Sequence, residues 1–586
     1  MGFSIQAPMT ATRFSDASPG EGECADMVFK WSRDNKIFKI SQSRKENFNR
    51  LAYWENITKF EGGTTMIQDG KAWNFARDVI DYLAKIRPNA PALYLMKNNQ
   101  DSLLSFAEVA QISAQTADWL QTRGIGKGMR VLVVLGKDPA FWPVMVALNK
   151  LGAIAMPGTT QLTAKDLKYR LQTSNASAAI VLPEVAAKLS DKETHLSHAI
   201  TVGHAHPGWT LLDPYHLDNP EFAGHPTDSG DPTLIYFTSG TTGFPKMVLH
   251  NQRYPQAHRI TAQYWIGLQD NDMHWNVSDT GWAKAAWSSL FGPWMVGAAI
   301  FVDNLTGKFD PKQFLHILST YPITSVCAPP TVYRLVVKED LNQWSFPHLR
   351  SAVSAGEPLN PEVIQLFKQA TKLDIRDGYG QTETVLLVGN SPGHRLKFGS
   401  MGQPAPEFDM AVIDHDGVPL PAGQEGDIAI KVRPSRPPGL FQGYVNDETG
   451  TQKRFVGDYY ITGDRAIIDE DGYFWFVGRA DDVIISAGYR IGPFEVESLL
   501  VERPEVIEAA VVSSPDPIRG EIVKAFVVLK SGIEPSASLV ETLQNHVKTQ
   551  TAPYKYPRSI EFVSELPKTV SGKIRRVELR QREWER

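Results

Sequence analysis

The most informative part of this chain is the stretch Thr238-Ser239-Gly240-Thr241-Thr242-Gly243-Phe244-Pro245-Lys246. It directly follows an apolar run, Leu234-Ile235-Tyr236-Phe237, which predicts a buried strand. The two glycines let the backbone curl around an anion, and successive N–H groups in such a turn form an anion-binding concavity. The hydroxyl groups add donors, and Lys246 adds a positive charge. The stretch is not a Walker A loop, because no Gly-Lys-Ser/Thr follows a Gly-x4 spacing.

Three further polar segments lie far away in the sequence: Asp377-Gly378-Tyr379-Gly380-Gln381-Thr382-Glu383-Thr384, Tyr460-Ile461-Thr462-Gly463-Asp464 and Pro567-Lys568-Thr569-Val570-Ser571-Gly572-Lys573. A Tyr beside Gly can stack on a purine, and an acidic residue after a polar turn can hold magnesium together with phosphate oxygens. An Asp after Thr-Gly can accept hydrogen bonds from two ribose hydroxyls. A Lys after Ser-Gly can neutralise charge on a phosphorane-like centre. Each segment taken singly also fits an ordinary turn.

Taken together and in this order, the segments resemble the adenylate-forming superfamily of acyl-CoA synthetases, stand-alone adenylation domains and luciferases. Further segments are similar to the medium-chain acyl-CoA synthetases of animals and fungi: Ser513-Ser514-Pro515-Asp516-Pro517-Ile518-Arg519-Gly520-Glu521, Thr551-Ala552-Pro553-Tyr554-Lys555-Tyr556-Pro557-Arg558 and Pro157-Gly158-Thr159-Thr160-Gln161-Leu162. The resemblance covers residues 90–586, and little in residues 1–90 takes part in it.

The resemblance implies a site for ATP and AMP. Its implied members are Thr238, Ser239, Gly240, Thr241, Thr242, Gly243, Phe244, Pro245, Lys246, Gly356, Glu357, Pro358, Asp377, Gly378, Tyr379, Gly380, Gln381, Thr382, Asp464, Arg479, Arg490 and Lys573. Tyr379 would stack on adenine, with residues 356–358 on the other side of the purine. Asp464 and Arg479 would hold the ribose, and Arg490 would contact phosphate.

The same resemblance implies which residues carry the catalysis: Lys573, Glu383, Thr238 and Lys246. Lys573 would bridge the substrate carboxylate and the α-phosphate while the acyl-adenylate forms. Positioning and charge neutralisation dominate such displacements, so one lysine can supply a large share of the rate. Glu383 would hold the magnesium ion. His250 has no carboxylate partner in the sequence and is expected to be structural, and no Ser-His-Asp or metal-ligand cluster is evident.

Coenzyme A and the acyl group have implied sites of their own. The implied CoA residues are Gln161, Ala487, Gly488, Tyr489, Arg519, Lys548, Tyr556 and Arg558, and the implied acyl pocket comprises Trp282, Thr331, Gly380, Thr382 and Leu386. Gly380 has no side chain, whereas acetate-activating relatives carry a Trp at the matching place. The space behind Gly380 is therefore expected to stay open to a medium acyl chain or a benzoate-like ring.

Strands that alternate with helices from about residue 90 predict an α/β fold with parallel-type sheets. Apolar runs predict strands at 130–136, 178–182, 298–302 and 324–328, and helices are predicted over 138–151 and 361–370. The expected architecture is a large N-terminal domain, residues 1–480, with two α/β subdomains and a β-rich subdomain. A small mobile α+β domain, residues 481–586, would follow. Asp481 matches the family's hinge position, and hinges are a few residues that absorb a backbone change.

Length and composition narrow the class of protein. The 586 residues exceed what one hydrophobic core holds, which predicts at least two domains. A net charge of -5, from 60 basic and 65 acidic residues, argues against nucleic-acid binding. Two cysteines, Cys24 and Cys327, cannot build a disulfide framework or a cysteine-based zinc site. No apolar run reaches the roughly 18 residues of a membrane span, since Asn149 and Lys150 interrupt the nearest one, residues 140–156.

The sequence therefore predicts an ATP-dependent acyl-CoA ligase that uses Mg2+, ATP and CoA and activates a small carboxylic acid. An adenylating enzyme that loads a carrier protein and a non-catalytic nucleotide-binding protein are the alternatives. Residues 1–25 hold one basic residue, Arg13, which makes them a poor match to an Arg-rich mitochondrial presequence. The compartment stays open between the cytoplasm and the mitochondrial matrix, and the oligomeric state stays open as well.

Overall fold

The computed structural model describes residues 71–96, 101–189, 196–218, 222, 224–238, 245–303, 305, 307–487, 489–569 and 573–585. The candidate presequence in residues 1–25 and Cys24 lie outside this part of the chain. Outside it as well are residues 239–244 of the anion-binding turn, Gly488, and residues 570–572 of the C-terminal lysine turn. The side chain of Arg490 is likewise not described.

The strand that leads into the anion-binding turn lies inside an eight-stranded mixed sheet. Its strands in spatial order are Gly443–Tyr444, Lys246–Asn251, Pro232–Thr238, Ile154–Pro157, Arg130–Val134, Ala178–Val181, His198–Val202 and Thr210–Leu212. Pro232–Thr238 is antiparallel to Lys246–Asn251, with Thr238 opposite Lys246. The turn predicted from the sequence therefore joins the two arms of a hairpin, and the hairpin fixes Thr238 and Lys246 side by side.

A second mixed sheet has nine strands. In spatial order they are Gln403–Pro404, Leu386–Gly389, Ile375–Gly380, Ser351–Ala355, Ser325–Cys327, Met273–Asn276, Ala299–Val302, Pro91–Leu95 and Ser102–Ser105. The four central pairings from Ile375–Gly380 to Ala299–Val302 are parallel. In a parallel sheet the strand ends collect at one edge, where ligands bind. The segment 377–384 and the loop that begins at Gly356 start at this edge.

Helices cover the two sheets and bury their apolar faces. The α-helices are Tyr82–Ile86, Phe106–Gln121, Phe141–Leu151, Ala164–Ser174, Pro183–Ala186, Arg253–Ile260, Ala283–Ser288, Phe291–Met295, Pro311–Thr320, Pro330–Val336 and Pro361–Thr371. Two π-helical segments, Ala76–Asp81 and Thr261–Ile266, and a 3-10 turn, Leu341–Gln343, complete this part. The helix predicted over 361–370 is present, but Asn360 does not cap it with its side chain, which accepts a hydrogen bond from Arg334 instead.

The β-rich region expected after residue 400 is a five-stranded sheet. It contains Met410–Ile413, Glu425–Lys431, Tyr459–Ile468, Phe455–Val456 and Phe474–Arg479, and the short helix Glu448–Gln452 precedes its edge strand. All its pairings are antiparallel. The pairing of Tyr459–Ile468 with Phe474–Arg479 sets Asp464 opposite Arg479. The two residues predicted to hold the ribose are thus cross-strand neighbours.

The C-terminal region forms a five-stranded sheet of its own. Its strands are Tyr489–Ile491, Ile484–Ser486, Gly520–Leu529, Val506–Asp516 and Ser559–Phe562, and its helices are Pro493–Val501, Ala537–Gln550 and Arg576–Trp584. The helices Pro493–Val501 and Ala537–Gln550 pack on the sheet over a separate cluster of buried apolar side chains. The fold class is therefore α/β as predicted, with a smaller α+β region at the C-terminus. Among the described helices, none has the length and apolar character that a membrane crossing requires.

Candidate active site

One cleft of about 930 Å3 gathers the segments that the sequence singled out. Predicted site residues that line it are Thr238, Pro245, Lys246, Thr331, Gly356, Glu357, Pro358, Asp377, Gly378, Tyr379, Gly380, Gln381, Thr382, Glu383, Asp464, Arg479 and Lys573. They come from both large sheets, the β-rich sheet and the C-terminal region. Segments more than 300 residues apart in the sequence therefore meet around one space.

The carboxylate of Asp464 is fixed at the wall of this cleft. It is only 5 % exposed, and its Oδ2 accepts hydrogen bonds from the Tyr379 hydroxyl at 2.6 Å and from the Gln381 amide at 2.5 Å. Arg479 Nε lies 3.4 Å from the other oxygen, Oδ1. Burial raises the pKa of Tyr379, and the neighbouring Asp464 raises it further, so the phenol keeps its proton and donates. The hydrogen bonds from Tyr379 and Gln381 fix this carboxylate, and Arg479 adds a positive charge beside it.

Asp377 ties two parts of the predicted purine site together. Its Oδ2 accepts from the backbone N–H of Leu359 at 3.2 Å, and its Oδ1 accepts from that of Gly378 at 3.0 Å. Burial raises the pKa of Asp377 to about 7, because little water reaches the carboxylate. The side chain thus links the loop that begins at Gly356 to the strand that carries Tyr379.

Glu383 lines the cleft. Its Oε1 accepts a hydrogen bond from the Tyr444 hydroxyl at 2.7 Å, and no described residue donates to its Oε2. Magnesium in nucleotide sites is usually bound by one or two carboxylates together with phosphate oxygens. The free carboxylate oxygen of Glu383, with the hydroxyls of Thr238 and Thr382 in the same cleft, fits such an ion.

Lys246 is held by two groups that the sequence did not single out. Its ammonium lies 2.9 Å from Asp447 Oδ2 and 4.6 Å from the centre of the Tyr444 ring. Asp447 also caps the helix Glu448–Gln452 through the backbone N–H of Gly450. A phosphate that enters the cleft therefore meets a lysine already paired with a half-exposed carboxylate.

Lys573 reaches the cleft from the C-terminal region. Its turn is closed by a hydrogen bond from the Thr569 N–H to the Lys573 carbonyl at 2.7 Å and by one from the Lys573 N–H to Thr569 Oγ1 at 3.1 Å. The side chain is exposed, and within the described residues no acid pairs with its ammonium. The lysine is therefore free to meet an incoming anion.

Of the predicted CoA residues, those that the structure describes do not line this cleft. Tyr489 is 51 % exposed and stacks on Tyr554 with ring centres 4.2 Å apart. Arg558 and Lys548 lie over the Tyr556 ring at 4.9 and 5.3 Å. The remaining predicted members are likewise absent from the lining of the cleft: Gln161, which is exposed, Ala487, which has a φ of 50°, and Arg519.

The wall behind Gly380 differs from the sequence-based expectation. A Cβ on Gly380 would lie 2.4 Å from Cη2 of Trp287 and 2.4 Å from the Val385 carbonyl oxygen. The indole of Trp287 therefore fills the space that was expected to be open. Trp282 does not line the cleft, and Leu386 is fully buried against Gly378. Of the predicted acyl-pocket residues, the cleft is lined by Thr331, Gly380 and Thr382.

Sequence reasoning missed several residues at the site: Lys284, Trp287, Tyr444, Asp447 and Arg454. Lys284 donates a hydrogen bond to the Ala355 carbonyl, directly before Gly356, and burial lowers its pKa. The sequence did carry a signal for Lys284 as a site residue, because a charged residue stands out between Trp282 and Trp287 in an otherwise apolar helix. The roles of Tyr444 and Asp447 depend on strand pairing, which no local pattern reveals.

His250 is structural, as its sequence context suggested. Its Nε2 is 2.8 Å from the Thr382 carbonyl oxygen, and its ring stacks on Tyr254. Burial lowers the pKa of His250 to about 3, so the ring is neutral and donates to that carbonyl.

Away from the cleft, Asp414, His415 and Asp416 place three ligand-type atoms together on an exposed turn. Exposed acidic groups are common without a metal, and this one lies outside the cleft.

Comparison with known proteins accords with this geometry. The model of the AMP-binding enzyme family matches residues 81–445, and that of the AMP-binding enzyme C-terminal domain matches residues 495–573. The human mitochondrial acyl-coenzyme A synthetase ACSM3 is 46% identical over 563 residues, which cover 92% of this chain and 94% of that protein. The human mitochondrial acyl-coenzyme A synthetase ACSM4 is 46% identical over 532 residues, covering 88% and 91%.

The chain belongs to the AMP-binding family of acyl-coenzyme A synthetases. Solved structures agree with this assignment. The anthranilate CoA ligase AuaEII in complex with anthranoyl-AMP matches with a TM-score of 0.80 and 29% identity, over 88% of this chain and 98% of that one. A benzoate CoA ligase from Burkholderia xenovorans LB400 matches with a TM-score of 0.77 and 26% identity, over 87% and 100%. The segment between the two family matches in this synthetase, residues 446–494, contains Asp481.

Proposed function

We propose that this synthetase converts a medium-chain or benzoate-like carboxylic acid to its CoA thioester. The carboxylate first attacks the α-phosphate of ATP, which yields acyl-AMP and pyrophosphate. The CoA thiol then attacks the acyl carbon, which yields the thioester and AMP. The observation that carries the proposal is the single cleft in which Lys573, Glu383 and Asp464 meet. Membership of the acyl-CoA synthetase family supports both steps.

In the first step the chain has to bring two anionic groups together, the substrate carboxylate and the α-phosphate of ATP. We assign the ribose to Asp464 and Arg479 and the purine to Tyr379 and residues 356–358. Lys573 would then neutralise the charge shared by the carboxylate and the α-phosphate. Charge that develops in a transition state is stabilised best by groups already fixed in place. The hydrogen bonds around Asp464 supply that fixation on the nucleotide side.

We propose that Mg2+ accompanies ATP and is held by Glu383. A bound magnesium ion would neutralise charge on the phosphates as pyrophosphate leaves. The support is that Glu383 lines the cleft and that its Oε2 has no donor among the described residues. Lys246 would exchange its contact with Asp447 for a phosphate oxygen.

We propose that the second step follows a rotation of residues 481–586 about Asp481. Arg580 donates a hydrogen bond to the Asp481 carbonyl at 2.5 Å, and Arg479 lies 3.7 Å from the Asp481 carboxylate. These contacts on both sides of one residue would exchange during the rotation. The rotation would withdraw Lys573 and bring the CoA residues to the cleft, since Lys573 and all the proposed CoA residues except Gln161 belong to the C-terminal region.

The acid is expected to lie along the wall made by Thr331, Gly380 and Thr382. Because Trp287 fills the space beside Gly380, the indole sets the depth of the acyl site. A flat ring or a short chain would leave the indole in place, and a longer chain would require it to turn. The mitochondrial acyl-CoA synthetases and the benzoate CoA ligase among the similar proteins agree with either class of acid.

Trp287→Leu is expected to shift the preference toward longer acids. Removal of the indole opens volume next to Gly380, and each additional buried CH2 is worth about 0.8 kcal/mol, or about fourfold. The ratio of kcat/KM for decanoate to that for butyrate should therefore rise by about tenfold or more. Trp294→Leu is the matched control, because Trp294 is buried elsewhere and its indole donates to the Ala92 carbonyl. An unchanged ratio in a folded Trp287 variant would show that the indole does not border the acyl chain.

Arg519→Ala is expected to raise the KM for CoA severalfold while ATP–pyrophosphate exchange stays near wild type. No described acid pairs with the Arg519 guanidinium: Asp516 Oδ1 accepts from the Arg519 backbone N–H, and the Glu521 carboxylate accepts from the Ile485 N–H. It sits beside Ile518, which is 92 % exposed. An exposed contact between Arg and phosphate contributes about 1 kcal/mol, and salt should weaken it.

The control for Arg519 is Arg503→Ala, which removes a surface arginine paired with Glu505 in the same region. Normal CoA kinetics of Arg519→Ala at low salt would remove this loop from the CoA site.

A panel of C2 to C12 fatty acids and benzoate tests the proposed class of acid. CoA-dependent AMP release should peak at medium chain length or on benzoate and fall toward acetate. A maximum on acetate would contradict the proposal.

The relatives named as mitochondrial also support a mitochondrial location for this chain. Fractionation of cells that express the full chain would test it.

A further inference from the structure

The hydroxyl of Tyr444 contacts the carboxylate that the proposed function assigns to magnesium. It donates to Glu383 Oε1 at 2.7 Å, and the tyrosine is 5 % exposed. Both residues line the cleft. Tyr444 belongs to none of the motifs that identified the site.

The backbone holds Tyr444 in place from two sides. Gly443–Tyr444 pairs antiparallel with Lys246–Asn251, and the Val445 N–H donates to the Met247 carbonyl at 2.9 Å. On the other side the Phe441 N–H donates to the Glu383 carbonyl at 2.8 Å. Residues 441–445 thus join the strand after the anion-binding turn to the backbone of Glu383.

The Tyr444 ring also lies beside the lysine of that turn. Lys246 Nζ is 4.6 Å from the ring centre, and Asp447, three residues further on, holds the same ammonium at 2.9 Å. The Tyr444 side chain therefore contacts both Glu383 and Lys246, the two groups that would face the phosphates. A shift of this ring would change the spacing of both groups.

We propose that Tyr444 is a positioning residue for the first half-reaction: its hydroxyl holds Oε1 of Glu383, so that Oε2 faces the magnesium–phosphate complex. The proposal rests on the proposed role of Glu383 in holding Mg2+. A carboxylate with one oxygen held has fewer orientations to lose when the ion binds. Burial raises the pKa of Tyr444, and the nearby Glu383 raises it further, so the hydroxyl remains a donor at neutral pH.

A purely structural role of Tyr444 would depend on its ring and not on its hydroxyl. The ring packs against Phe441 with centres 5.0 Å apart, and packing does not depend on the hydroxyl. Tyr444→Phe keeps the ring, its contact with Phe441 and its contact with Lys246, and it removes the hydroxyl that donates to Glu383 and also contacts Arg454. The variant is expected to melt within a few degrees of the wild type.

The test is the affinity for ATP measured by titration calorimetry with excess Mg2+ and again in EDTA. The wild type should bind ATP more tightly with Mg2+, and Tyr444→Phe should lose about tenfold of that gain, as expected for a hydrogen bond to a charged group. Its affinity for ATP in EDTA should equal that of the wild type. Tyr333→Phe is the matched control, because the buried Tyr333 hydroxyl donates to the Val353 carbonyl at 3.2 Å, and this variant should match the wild type in both conditions.

Glu383→Gln separates this proposal from the proposed function. If Glu383→Gln loses the Mg2+-dependent gain and Tyr444→Phe keeps it, Tyr444 does not position the carboxylate. Equal weakening of Tyr444→Phe with and without Mg2+ would also overturn the proposal, because a general packing effect would then explain it. If Glu383→Gln keeps the gain, the magnesium role of Glu383 is wrong and the role of Tyr444 falls with it.

Discussion

Lys573→Ala is expected to slow acyl-adenylate formation by about a thousandfold and to leave thioester formation from supplied acyl-AMP within a few fold of wild type. The lysine is exposed, lines the cleft and has no acidic partner among the described residues. Its charge is therefore available to the carboxylate and the α-phosphate in the first step. In the second step the turn should have left the cleft. ATP–pyrophosphate exchange and single-turnover thioester formation measure the two steps separately.

The control for Lys573 lies in the same turn. Lys568 pairs with Glu508 at 2.7 Å, and Lys568→Ala should leave both steps close to wild type. A folded Lys573→Ala variant in which the two half-reactions fall equally would contradict the rotation of the C-terminal region.

Asp464→Asn is expected to weaken ATP binding by about a hundredfold. The carboxylate accepts from Tyr379 and Gln381 and faces Arg479, so an amide N–H2 must meet a donor whichever way it turns. Hydrogen bonds to a charged group are each worth about 1.5–3 kcal/mol, and the loss of two corresponds to about 3 kcal/mol or more. Calorimetric dissociation constants for ATP would show the change.

A ribose analogue makes the Asp464 test specific. The wild type should bind 2′,3′-dideoxy-ATP much more weakly than ATP, whereas Asp464→Asn should bind the two nucleotides almost equally. Asp469→Asn is the control and should keep the preference for ATP, because Asp469 lies in the turn between the same two strands but pairs with Lys397. Undiminished discrimination by Asp464→Asn would place the ribose elsewhere.

The sheets and most site residues could be predicted because they follow from local patterns. Apolar runs predicted the strands, which the structure shows at Arg130–Val134, Ala178–Val181 and Ala299–Val302. Turns rich in Gly, Thr and Asp marked the polar edge where these strands end. Parallel strands bring their ends to one edge, so separate motifs could be expected to meet. Seventeen of the predicted residues line the same cleft.

Features that depend on packing between distant segments could not be predicted. Gly380 suggested open space, but Trp287 fills it from a helix almost a hundred residues earlier. Tyr444 reaches Glu383 only because a two-residue strand, Gly443–Tyr444, pairs with Lys246–Asn251. Neither contact leaves a periodic signal in the sequence. Similarly, motif order alone does not reveal that Lys573 lines the cleft whereas the described CoA residues do not.

The most direct test of the account follows both half-reactions with octanoate on the full chain. We expect octanoate-dependent ATP–pyrophosphate exchange without CoA. Once CoA is added, we expect equal amounts of octanoyl-CoA, AMP and pyrophosphate. Exchange without any thioester on addition of CoA would contradict the account and favour transfer to a carrier protein. The absence of exchange with every acid of the C2 to C12 and benzoate panel would contradict adenylate formation itself.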